Sequence, residues 1–83
     1  MPAENAPATR TARAQVTRRP VDASMLEIRV LGSVAYMTGV IGNLREHQAV
    51  NIREEMNIIT MALRGKNGIR DVVWDVTIRG ASA

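Results

Sequence analysis

No cysteine occurs among the 83 residues, which excludes disulfides, thiol catalysis, iron–sulfur clusters and cysteine-based zinc folds. Aromatic residues are nearly as scarce, with one Trp, one Tyr and no Phe. A core must therefore be built from Val, Ile, Leu, Met and Ala. No apolar run approaches the roughly 18–20 residues that a membrane-spanning helix needs. The N-terminal arginines lead into no apolar h-region, so no secretory signal is expected. A transit peptide would need an apolar helical face that this segment lacks on the same reading. The expected compartment is the cytoplasm. A length of 83 residues and a mass of 9.1 kDa suit one small domain.

What is present is unevenly spread. Residues 1–24 hold Arg10, Arg13, Arg18 and Arg19 against Glu4 and Asp22, so they carry +2 of the net +3 charge. All three prolines lie there, with many Ala and Thr, while Val16 and Val21 are the only larger aliphatics after Met1. Such a segment offers little apolar surface to offset its ordering entropy, and the expectation is a disordered arm. Residues 25–80 form the expected domain, with Gly80-Ala81-Ser82-Ala83 as a frayed end.

Residues 26–31 alternate Leu26, Ile28 and Val30 with Glu27, Arg29 and Leu31, the period of a half-buried strand. Gly32-Ser33 suits a type II′ hairpin turn. Residues 34–41 read as the second strand, with Val34, Tyr36, Thr38 and Val40 on one face and Ala35, Met37, Gly39 and Ile41 on the other. Gly42-Asn43 is expected to break it. The polar stretch 43–50 has no assigned structure. Asn51 then reads as an N-cap, with Glu54 in the capping-box position. Glu54 and Glu55 place negative charge where the helix dipole favours it. From Ile52 an apolar stripe runs through Met56, Ile59 and Leu63, widened by Ile58 and Ala62. Gly65 suits a left-handed cap and Asn67-Gly68 a tight turn. Residues 69–79 alternate Val72, Trp74, Val76 and Ile78 with Val73, Asp75, Thr77 and Arg79. The expected fold is α+β, in the order β–β–α–β: a three-stranded mixed sheet with one helix on one face. Strand order stays open, because the last strand can lie beside either member of the hairpin.

If the helix covers one face, the other presents Val34, Tyr36, Val40 and Val73 among charged residues. Fewer than about 60 ordered residues bury too little surface for comfortable independence. Self-association through the sheet is therefore expected, with Met61 on the polar helix face as a further adaptable contact.

The segments Ser33-Val34-Ala35-Tyr36-Met37-Thr38-Gly39-Val40-Ile41 and Gly68-Ile69-Arg70-Asp71-Val72-Val73-Trp74-Asp75-Val76 resemble the hairpin strand and the final strand of a BON domain. That family is the small module of bacterial osmotic-stress and nodulation-type proteins. The resemblance covers roughly 26–78 and implies a non-enzymatic module that binds membranes, phospholipids or protein partners. Three features depart from the family pattern. Trp74 stands where Asn is frequent, the 42–50 connection is long, and the arm supplies no counterpart to the family's first helix. The family's envelope location also sits poorly with the expectation of no secretory signal.

Catalysis has little to work with. His47 is the single histidine, flanked by Glu46 and Gln48, with Glu46 or Asp71 as its conceivable carboxylate partner. A solvated loop histidine explains it as well. No enzyme activity, no metal and no cofactor are expected. Gly65-Lys66-Asn67-Gly68 has the spacing of a KH-domain loop, but a helix cap and a turn account for it. The alternative function is a small basic nucleic-acid-binding protein. Its arm would use Arg10, Arg13, Arg18 and Arg19 to track phosphates, on nucleic acid or on an anionic lipid surface.

Overall fold

The computed structural model describes residues 4–79, so the expected frayed end lies outside the described residues. The elements are α1 (Ala6–Thr17), β1 (Val21–Asp22), β2 (Leu26–Leu31), β3 (Val34–Asn43), α2 (Ile52–Leu63) and β4 (Asp71–Arg79). The class is α+β as expected, with two helices and four strands in place of one helix and three strands.

The larger correction is α1, which occupies the stretch expected to be a disordered arm. Asn5 caps it, its side-chain oxygen accepting from the Ala8 N–H at 3.2 Å. Pro7 sits in the first turn, where a missing N–H costs nothing. Ala8, Ala12 and Val16 recur at four-residue spacing and are fully buried. Alanine has the highest helix propensity, and its short side chain lets the helix backbone approach the sheet closely. A composition count that looks for large aliphatics passes over such a stripe.

β3 is the central strand. β2 pairs with it antiparallel, from Leu31↔Val34 to Leu26↔Gly39, and β4 runs parallel along its other side, from Val34↔Asp71 to Gly42↔Arg79. The open strand order is thereby decided: the helical crossover through α2 returns β4 beside β3. β3 continues to Asn43 rather than ending at Ile41, because β1 pairs there through Val21↔Asn43 and Asp22↔Gly42. Residues 23–25 face only residues 40 and 41, so the β1–β2 edge carries a one-residue bulge. The bulge has a clear use. Val21 and Leu26 are an odd number of residues apart and would point to opposite faces of a regular strand, yet both are buried.

The inner face assembles in rows: Val30–Ala35–Val72, Ile28–Met37–Trp74 and Leu26–Gly39–Val76, with Ile41 beside Ile78. α1 packs over β2, and α2 over β3 and β4. Asn51 caps α2 as expected, accepting from the Glu54 N–H. Ile52, Ile59 and Leu63 are buried. Ile58, expected to widen the stripe, is exposed, and Glu55 takes the buried position instead. At the α2–β4 contact the Trp74 indole N–H donates to the Thr60 hydroxyl at 2.8 Å, and that hydroxyl donates to the Met56 carbonyl.

Candidate self-association surface

The sheet face away from the helices carries alternate residues of all the strands. Its rows are Leu31–Val34–Asp71, Arg29–Tyr36–Val73, Glu27–Thr38–Asp75 and Val40–Thr77. Tyr36 is 39% exposed and Val73 41%, while Val34 and Val40 are half-buried. Four of the five residues expected to mediate self-association therefore share this face. Met61 does not join them. It is 76% exposed on α2, on the opposite side of the sheet.

The two edges of the sheet differ. On the β2 edge, Val30 directs its backbone outward and finds partners in the start of α1. Its N–H donates to the Thr9 hydroxyl at 3.0 Å, and its carbonyl accepts from the Asn5 N–H at 2.7 Å. Glu4 adds a bridge to Leu31. β4, nine residues long, pairs only with β3 among the described residues. Its second edge is open.

The four arm arginines have separate fates. Arg19 is engaged with the buried Glu55 carboxylate through its Nε at 2.5 Å and its Nη2 at 3.1 Å. That hydrogen bond raises the guanidinium above its ordinary value, desolvation opposes it, and the carboxylate's charge adds to it. The contribution is lost only as pH rises through an already very high value, so it does not vary near neutrality. The pair joins the end of α1 to the first turn of α2, and Thr11 meets Asn67 beyond the far end of α2. Arg10, Arg13 and Arg18 are exposed, on or beside a folded helix rather than a flexible arm.

His47 lies exposed in the 43–50 connection, where its backbone is used: its carbonyl accepts from the Asn43 amide and its N–H bonds to Leu44. Among the described residues no group of three His, Asp or Glu side chains is placed to hold a metal ion. No helix of the described residues is long and apolar enough to cross a membrane.

Asp22 is a local pH reporter. Hydrogen bonds from the Ser24 hydroxyl and the Ser24 N–H, the latter at 3.0 Å, hold its carboxyl below the usual aspartate value. A depressed folded-state pKa stabilises above the unfolded value, near pH 4, and that contribution is lost as pH falls through the folded value. Denaturant titrations between pH 5 and 2 should show the wild type losing more stability on acidification than Asp22→Asn. Equal losses would mean the turn contributes nothing to folding.

No protein-family model matches the chain, and neither a curated protein nor a solved structure matches it.

Proposed function

We propose that this chain is a non-catalytic, BON-like interaction module that self-associates through its sheet. The observation that carries the reading is the inequality of the two edges. The start of α1 satisfies the outward backbone of Val30, whereas the nine residues of β4 pair only with β3 among the described residues. A long edge left open is a template for another strand. Apart from the two-residue β1, the order helix–strand–strand–helix–strand is in keeping with the family, since α1 supplies the first helix. Val73 on β4 and Tyr36 beside it place apolar surface along the same side of the molecule, with Val34 and Val40 further along β3.

Solution mass measured by light scattering at low and high salt tests the proposal. The expected result is a defined oligomer that persists at high salt, because main-chain pairing and apolar contact are screened little. A monomer at both salts, up to the highest soluble concentration, overturns it.

A further inference from the structure

Building on that self-association, we infer that two copies join as an antiparallel β4–β4 pair centred on Thr77, so that Asp75 of each copy stands opposite Arg79 of the other. The argument starts from charge. Of the three ionic side chains on β4, Asp71 is held within the chain by Arg64 at 3.4 Å and also accepts from the Val72 N–H. Asp75 and Arg79 are exposed and form no ion pair among the described residues. They share the outer face but sit four residues apart, about 13 Å along an extended strand. One copy cannot bring them together.

A second copy can. A two-fold axis perpendicular to the sheet runs the two β4 strands antiparallel and keeps inner faces with inner faces. Opposed residues must then share parity, since a slip of one residue would turn one copy's apolar row to solvent. Few registers remain. Centring on Asp75 sets Asp75 against Asp75 of the second copy, a destabilising like-charge pair, and turns Arg79 to an Asp71 that Arg64 already holds. Centring on Trp74 or Val76 leaves Asp75 opposite Val73 or Thr77. Centring on Ile78 sets Arg79 opposite Thr77. Only centring on Thr77 pairs both charges, twice by symmetry. It also sets Thr77 against Thr77, a favourable hydroxyl pair, and Val76 against Ile78 on the inner face. Val76 and Ile78 are only half-buried within one copy, so the pairing extends their cover.

Charge reversal tests the register in sedimentation equilibrium, with folding checked by circular dichroism at these exposed positions. Asp75→Arg alone opposes two arginines at both ends, and Arg79→Asp alone opposes two aspartates. Each is expected to weaken the dimer about tenfold or more. The two variants mixed together should form a heterodimer, because every opposed pair is then of opposite sign. The double variant Asp75→Arg/Arg79→Asp should dimerise with itself. A wild-type dimer whose single variants stay dimeric, or whose mixture fails to associate, overturns the register and leaves self-association standing. A wild-type monomer overturns both.

Discussion

Removing residues 1–20 is expected to abolish cooperative unfolding, not merely to trim a tail. Three losses coincide. The fully buried Ala8, Ala12 and Val16 leave the layer over β2, exposing Ile28 and Val30 to water; Val16 alone accounts for about 2 kcal/mol. Val30 loses the Thr9 and Asn5 groups that satisfy its outward N–H and carbonyl. Glu55, only 8% exposed with Arg19 against it, loses its counter-charge and two hydrogen bonds. A domain of this size has a total stability on the order of 5 kcal/mol, and these terms together approach it. Near-complete loss of the thermal transition is therefore the expected result. Ala12→Asp provides a single-residue version, since it sets a charge against the sheet at a position with no exposure. If the truncated chain kept the melting temperature of the full one, α1 would be a dispensable arm. The same deletion is unsuitable as a test of polyanion binding, because it removes the fold along with Arg10, Arg13 and Arg18.

α1 is the least legible element of the frame, because each element declares itself differently in the sequence. β2 and β4 alternate large apolar with mostly polar residues, β3 is a run of strand-favouring residues, and the rows Val30–Ala35–Val72 and Ile28–Met37–Trp74 assemble as strand parity requires. α2 is marked by a capping residue, acids in its first turn and a wide stripe of Ile and Leu. α1 buries two alanines and a valine, so its signal lies in the spacing of small residues and in Asn5 before Pro7. The extension of β3 to Asn43 depends on β1, a partner too short to see in advance. Glu55 exchanged places with Ile58 because Arg19 arrives from α1, an event no local pattern encodes. The candidate surface was legible: Val34, Tyr36, Val40 and Val73 share a face by strand parity, and Met61 is exposed on α2 because it falls outside the apolar stripe.

Gly39→Ala is expected to be among the most damaging single substitutions. Gly39 stands on the inner face between Leu26 and Val76, where the edge strand bulges. Its φ is +102°, a conformation that residues with a Cβ rarely adopt. An added Cβ would also overlap the carbonyl oxygen of Met25. That oxygen cannot easily move aside, because it accepts the Val40 N–H at 3.1 Å and so closes the bulge. Backbone strain of about 1–3 kcal/mol and a comparable clash add to roughly 2–6 kcal/mol. Gly65→Ala separates the two causes. Gly65 has φ +88°, with nothing within 4 Å of an added Cβ, so it should cost only the strain, about 1–2 kcal/mol. Chemical denaturation of both variants reads the difference directly. Equal losses would mean that the bulge can open at Met25. The edge strand could then slide by one residue, and Val21 and Leu26 would no longer be held on the same face.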